Sequence, residues 1–301
     1  MLARLLRRIL GALLVLFGVL GYWIGARGWP GILACAVGAV LLTLAALVAA
    51  SFLLAHLHRA ERPVEFRIGA LSRLRLWATE YFATTLTLLV LQPFARWFVA
   101  RNPDAPNGPS VLLVHGYANN SAALWSLARF LKKQGFAVFT HDLEPVFTGI
   151  DSYVPALAAR IGEVLELSGA STLTVVCHSM GGLALRAYLR ERGGEGIARV
   201  VTLGAPHHGT DIARMGLGEN ARQMRRGSEW LQDLERSEAG GLVAPVTSIY
   251  TWDDNIVAPQ SSAELQGAKN IALAGVGHMS LPFSREVRQL AFGEIHSRNR
   301  D

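Results

Sequence analysis

Two stretches of this chain run uncharged for long enough to cross a bilayer, and the rest of the fold must be arranged around them. Residues 9–26 and 30–54 contain no Asp, Glu, Lys or Arg. A helix needs ~20 apolar residues to traverse the hydrocarbon layer, and each stretch is close to that length. Arg27-Gly28-Trp29-Pro30 joins them with turn-forming residues and one charge, and Tyr22, Trp23 and Trp29 lie at that end, where amphipathic rings favour the headgroup level. Ala34 and Gly38 form a small-xxx-small pair that would let helices approach closely. The expectation is a transmembrane hairpin within residues 1–60. A secretory signal is the alternative, because Arg4, Arg7 and Arg8 precede the first stretch. No small-x-small cleavage site follows, however, and a second, longer apolar segment does.

Charge divides the chain in the same place. Residues 1–101 hold eleven arginines against three acids, a net +8, so the remainder carries −2 of the total +6. The excess positive charge therefore flanks hydrocarbon, and nucleic acid is not an expected partner. A chain that is 51% hydrophobic and 17% charged is not disordered, and one with only two cysteines, Cys35 and Cys177, is not a disulfide scaffold. Arginines flank both outer ends of the hairpin, so by the positive-inside rule both ends, and the rest of the chain, face the cytoplasm. Residues 81–91 form a third apolar stretch, too short to span, and are expected as an interfacial or domain-packing helix within a juxtamembrane section, 61–110. The Pro/Gly/Asn-rich run 102–110 reads as a linker.

Beyond the linker, short β-branched runs alternate with helical patterns. Strands are expected over 111–114, 137–140, 173–177, 199–203, 246–250 and 271–273. Helices are expected over 122–133, 152–167, 181–192 and 283–297. Apolar runs of this kind separated by ~12-residue helices imply a mostly parallel sheet covered on both faces. Ligands in such sheets bind beyond the carboxyl ends of the strands.

Three chemically capable loops follow strand ends. Cys177-His178-Ser179-Met180-Gly181-Gly182 has the strand–turn–helix setting of a nucleophile elbow, with cysteine at the position usually held by the first glycine. A serine there can also be a plain N-cap. Thr251-Trp252-Asp253-Asp254 supplies carboxylates, and Ala274-Gly275-Val276-Gly277-His278 supplies an imidazole. A serine hydroxyl needs a base to take its proton, and the base needs a group to orient it. The order Ser, Asp, His is the one an α/β-hydrolase uses.

Residues 111–296 resemble an α/β-hydrolase of the bacterial lipase/esterase group. The resemblance rests on Val-Leu-Leu-Val-His-Gly-Tyr (111–117), His-Ser-Met-Gly-Gly (178–182), Thr-Leu-Gly-Ala-Pro-His-His-Gly-Thr (202–210), Gly-Ser-Glu-Trp-Leu (227–231), Asp254-Asn255-Ile256-Val257 and Gly277-His278. It implies Ser179 as nucleophile, His278 as general base and then acid, and Asp254 as the acid that holds the imidazole. Asp253 is its rival, and Asp-x-Ile-Val-x-Pro (254–259) matches the family pattern at Asp254. The implied oxyanion hole is the backbone N–H of Tyr117 and of Met180. No cofactor and no metal are implied.

The expected protein is thus an α/β-hydrolase fold, residues 111–301, preceded by two transmembrane helices. It would sit in a bacterial inner membrane with its catalytic part on the cytoplasmic side, hydrolysing lipid or acyl esters through an acyl-enzyme. The same triad would serve a thioesterase or acyltransferase, and a non-catalytic membrane scaffold retaining the fold is the alternative from another class. Met215, Leu217, Met224, Trp230 and Leu231 are candidates to line an acyl site, or to form the core face of a crossover helix. His115 is expected to support the oxyanion loop and His178 to point away and pack. His207 and His208 are expected to shape a loop rather than bind metal, His56 and His58 to be interfacial, and Arg222, Arg225 and Arg226 to lie on a solvated face.

Overall fold

A computed structural model describes residues 1–103 and 107–296. Part of the expected linker (104–106) and the last residue of the expected closing helix (Ser297) lie outside the described residues. Two long helices open the chain, α1 (Leu2–Trp23) and α2 (Gly28–Leu57). Both are long and apolar enough to cross a membrane, and they are packed against each other as a hairpin. The turn is tighter than expected: α2 begins at Gly28, and Trp29 and Pro30 fall in its first turn, where proline's missing N–H costs nothing. The close approach of the two helices is not at Ala34 and Gly38. A Cβ on Gly21 would lie 2.8 Å from that of Cys35, and one on Gly18 would lie 3.3 Å from Ile32, whereas nothing comes within 4 Å of Gly38.

The third apolar stretch belongs to a longer helix, α3 (Ala70–Leu86), which continues through a π-helical turn, Thr87–Leu91. It lies against α2, where Tyr81 Oη donates to Leu41 O at 3.2 Å, and Glu80 on it also reaches the backbone of Met279 and Ser280.

The alternating region folds into β1 (Ser110–Val114), α4 (Trp125–Lys133), β2 (Ala137–His141), α5 (Val154–Ser168), β3 (Leu173–His178), α6 (Met180–Arg192), β4 (Ile197–Leu203), α7 (Gly218–Gln223), α8 (Glu229–Ser237), β5 (Val246–Thr251), β6 (Lys269–Leu273) and α9 (Arg285–His296); the strands and α4, α5, α6 and α9 fall where expected, and α7 and α8 are additional. The six strands form one all-parallel sheet in the order β2-β1-β3-β4-β5-β6. Every residue of β1, β3 and β5 is buried, because helices cover both faces, and this is why these strands read as apolar runs rather than alternations.

Two hydrophobic clusters record the two covered faces. Val114, Phe139, Val154, Leu157, Val175 and Leu183 pack on one side; Val111, Leu113, Leu127, Val176, Val201 and Val287 pack on the other. Each fully buried Val or Leu contributes about 1.5–3 kcal/mol of transfer free energy, so the sheet is a stiff platform for the loops beyond its carboxyl edge. The helix α5 stops at Gly169, which takes the left-handed conformation (φ 65°) that its side-chain-free backbone permits.

Candidate active site

The strand β3 ends at His178, and the next residue, Ser179, has φ 55° and ψ −131° before α6 begins at Met180. A non-glycine residue in this region stores about 1–3 kcal/mol of strain, held here by the buried strand and helix on either side. The sharp turn presents Oγ above the sheet edge instead of burying it in the strand. Gly116 shows how tightly the neighbouring loop is drawn in. A Cβ there would lie 2.6 Å from Ser179 Cβ and 3.1 Å from its Oγ, so only glycine lets the 115–117 backbone pass so close.

Asp254 and His278 meet directly. Asp254 Oδ2 accepts from His278 Nδ1 at 2.8 Å, while its Oδ1 accepts from the backbone N–H groups of Ile256 (2.8 Å) and Val257 (2.7 Å). Three hydrogen bonds fix that carboxylate and leave the imidazole one orientation, with Nε2 as the nitrogen free to exchange a proton. Burial opposes charge on His278, but the Asp254 carboxylate, its hydrogen bond and Glu80 outweigh it, raising the His278 pKa.

Ser179 reaches the same place from the other side. Its N–H donates to Leu203 O at 2.9 Å, and a Cβ on the next residue, Gly204, would lie 3.1 Å from Asp254 Oδ2 and 3.4 Å from His278 Nδ1. Among the described residues no hydrogen bond joins Ser179 Oγ to His278. Catalytic contacts of this type often tighten only with substrate in place.

Asp253, the rival acid, is turned away from the imidazole. It receives Arg62 at 2.6 Å and the N–H of Gly275 at 2.7 Å, and so ties the acid loop to the loop that carries His278. His178 does pack, but not away from the site. Its ring lies 4.7 Å from that of His278, and its Nε2 donates to His278 O at 3.1 Å. Burial drives its pKa down to about 3, so it stays neutral beside the His278 imidazole. The buried Cys177 thiol is pushed up by the same desolvation, which makes it an inert filler at the elbow.

The two oxyanion candidates are placed where an anion could be met. Met180 opens α6, and the first N–H groups of a helix have no intrahelical acceptor. Among the described residues no protein acceptor takes the N–H of Tyr117. The Tyr117 ring is held in turn, because its hydroxyl donates to Leu217 O (2.8 Å) and accepts from Leu217 N (2.7 Å). His115 supports the loop from below: Leu143 N donates to its Nε2 at 3.0 Å, which leaves Nδ1 to donate to Gly116 O at 2.8 Å.

The five candidate acyl-site residues separate into two groups. Met224 and Leu231 are buried in the core, with Trp230 packed on its edge, whereas Met215 and Leu217 are exposed, the latter's backbone against Tyr117. His207 turns inward to Thr202 Oγ1 at 3.0 Å and His208 outward to Glu235 at 2.6 Å. Arg222 and Arg226 pair with Glu219 and Asp211. A cavity of about 690 Å³ lies behind the acid loop, lined by Phe52, His56, Arg62, Trp77, Trp252 and Asp254 among others; Ser179 is not part of its wall.

Two residues that sequence reasoning passed over bear on the site. Asn255 Oδ1 accepts the N–H of His278 at 3.0 Å, and Glu80 of α3 accepts the next two N–H groups of that loop. Asn255 stood inside a quoted motif without a role. Glu80 carried one signal: it is a lone carboxylate in an apolar segment, and a buried charge requires partners.

Comparison with known proteins agrees with this architecture. Residues 109–227 match the family described as the alpha/beta hydrolase fold. The chain is 26% identical over 160 residues to a triacylglycerol lipase of Burkholderia plantarii and 26% identical over 148 residues to one of Pseudarthrobacter phenanthrenivorans. These matches take in 50% and 46% of this chain but only 40% and 41% of the two lipases, so the chain spans less than half of either relative. The mature lipase of Bacillus licheniformis superposes with a TM-score of 0.55 at 19% identity, covering 65% of this chain and 93% of that one. In its parallel sheet, its sequence match and its structural likeness, this chain has the α/β-hydrolase fold and is similar over that fold to bacterial lipases.

Proposed function

We propose that this chain is a membrane-anchored serine hydrolase that cleaves carboxylic esters of lipid or acyl type through an acyl-enzyme. The observation that carries the proposal is the Asp254–His278 hydrogen bond at the carboxyl edge of the sheet, facing a serine on a strained strand-to-helix turn. A scaffold retaining only the fold has no need of an oriented imidazole beside such a serine.

In the reaction, His278 Nε2 takes the Ser179 proton as Oγ attacks the ester carbonyl carbon. The carbonyl oxygen becomes an oxyanion facing the N–H groups of Tyr117 and Met180, and Asp254 stabilises the imidazolium. The imidazolium then gives its proton to the leaving alkoxide, which departs as the alcohol. Water, deprotonated by the same imidazole, attacks the acyl carbon, and the acid leaves with Ser179 restored. The lipase relatives and the two apolar helices support an ester that resides in or near a bilayer. Met1 and Arg7, at the start of α1, contact Glu144 and Pro93 O. The basic end of the hairpin therefore adjoins the hydrolase fold, which supports a catalytic part on the cytoplasmic side of an inner membrane. The proposed division is a hairpin over 1–60, a juxtamembrane section over 61–110 and a catalytic part over 111–301.

The test is labelling of the full chain in detergent by a fluorophosphonate, with Ser179→Ala as control, followed by a series of p-nitrophenyl esters of rising chain length. Labelling of the wild type alone, with turnover of at least one ester, is expected. A wild type that neither labels nor turns over any ester overturns the proposal.

A further inference from the structure

The loop that carries His278 is held from outside the hydrolase sheet. Glu80 on α3 is fully buried, with Oε1 accepting the N–H of Met279 at 2.8 Å and Oε2 accepting that of Ser280 at 2.9 Å. On the other side of the same loop, a Cβ on Gly277 would come within 2.5 Å of Glu80 Oε2, so the glycine is what lets the carboxylate sit against the backbone. Glu80 thus touches the residues before and after His278 and holds them from one atom group. The helix α3 lies outside the region matched to the alpha/beta hydrolase family, residues 109–227. We propose that Glu80 is a positioning residue for His278: it fixes the loop that presents the base and places a second negative charge opposite the imidazolium formed during turnover.

The physical argument has two parts. A loop in which two consecutive backbone N–H groups are bound by one rigid acceptor cannot drift, and misplacement of a catalytic group by about 1 Å can cost as much as 100-fold in rate. The charge on His278 is also faced by few groups. Asp254 comes from the loop after β5, Glu80 from α3, and the His178 ring from the end of β3, the last kept neutral by burial. Burial raises the Glu80 pKa, and the two N–H donors and His278 oppose that rise by favouring the carboxylate, which accepts one N–H on each oxygen. Its position therefore couples to the base in both directions: the carboxylate stabilises an imidazolium, and the imidazolium stabilises the carboxylate.

The inference rests on the reading of His278 as the base, and the experiment separates the two. Wild type, Glu80→Gln and Glu80→Asp are prepared as full-length chains in detergent. Each is measured for fluorophosphonate labelling rate and for kcat and KM on one ester across pH 5–9. A wild type that labels and turns over validates the base first. Glu80→Gln is then expected to lower kcat about tenfold or more with KM little changed. It should also move the acid limb of kcat/KM to lower pH, because a negative charge facing the imidazolium is gone. Glu80→Asp keeps the charge but draws it back by one methylene, so kcat should fall while the acid limb moves less than in Glu80→Gln. A purely structural role would lower the folded fraction and leave the acid limb of the folded protein in place; that result overturns the inference, as do wild-type kcat and pH profile in Glu80→Gln. Should Glu80→Gln not fold, Glu80→Asp decides alone, and wild-type kcat in it overturns the inference.

Discussion

The side-chain amide of Asn255 donates to Ser51 Oγ at 2.7 Å, which hydrogen-bonds the loop carrying Asp254 to a helix long enough to span a membrane. The same Asn255 uses its oxygen to accept the N–H of His278 at 3.0 Å. One side chain therefore links α2 to the proposed base.

Two substitutions separate these contacts. Ser51→Ala removes the hydrogen bond from Asn255 and the one Ser51 Oγ gives to Val48 O, and should cost about 1–2 kcal/mol of stability with little change in kcat. Asn255→Ala also leaves the His278 N–H without its acceptor, so kcat should fall on the order of 10- to 100-fold. Thermal unfolding and ester turnover of both variants check this; equal kcat losses in the two would contradict it.

The adjacent carboxylates should behave very differently. Asp254→Asn turns the partner of His278 Nδ1 into an amide, and on the behaviour of such triads kcat should drop by about 10⁴. Asp253→Asn weakens only the ties to Arg62 and Gly275, and should cost far less. If Asp253→Asn were the more damaging of the two, the assignment of Asp254 would be wrong.

The pH profile follows from the His278 environment. The base must be neutral to accept the serine proton, and its pKa is raised above 6.5 against the opposing effect of burial. Activity should therefore fall as pH drops through a value above 6.5, and Asp254→Asn should move that limb down. An acid limb in the wild-type kcat/KM profile below pH 6 would contradict the geometry.

Stability should show the opposite slopes on its two sides. The raised His278 pKa contributes stability that is complete below about pH 6.5 and is lost as pH rises through the folded value. Burial lowers His178 to about 3 and His141 to about 4, so these groups bind protons more readily when unfolded, and stability should decline as pH falls from about 6.5 toward 4. Chemical denaturation at pH 4.5, 6.5 and 8 measures this, and His141→Gln should flatten the acid side.

Gly116→Ala should abolish fluorophosphonate labelling, because the added methyl would overlap Ser179 Cβ at 2.6 Å. A variant that folds and labels at the wild-type rate would show that the loop can retreat.

The parallel sheet was legible because apolar runs and helical patterns alternate over residues 111–296, and the loops bearing Ser179, Asp254 and His278 could be placed from strand ends alone. The choice between Asp253 and Asp254 rested on a motif; the two neighbouring carboxylates are equivalent in local chemistry, and only the partners Arg62 and Gly275 on one side and His278 on the other distinguish them. The helix–helix contact was misread because Ala34 and Gly38 satisfy a spacing rule, while the partner helix decides which face is used, and it meets Ile32 and Cys35. His178 is expected to point away as part of the elbow, yet the turn at Ser179 brings its ring to 4.7 Å from that of His278. The roles of Glu80, Arg62 and Ser51 were not legible: each acts across about 190 to 200 residues of sequence, and no local pattern encodes so distant a contact.

Met1 and Ser51 of the hairpin contact Glu144 and Asn255, and Arg62 and Glu80 of the section after it contact Asp253 and the backbone of Met279 and Ser280, so the N-terminal third grips the sheet-bearing part at several points instead of trailing from it on a leash. A part mounted in this way cannot tumble. With the hairpin in a bilayer, as proposed, the opening would stay at one height and one tilt, like a plane set to a fixed depth.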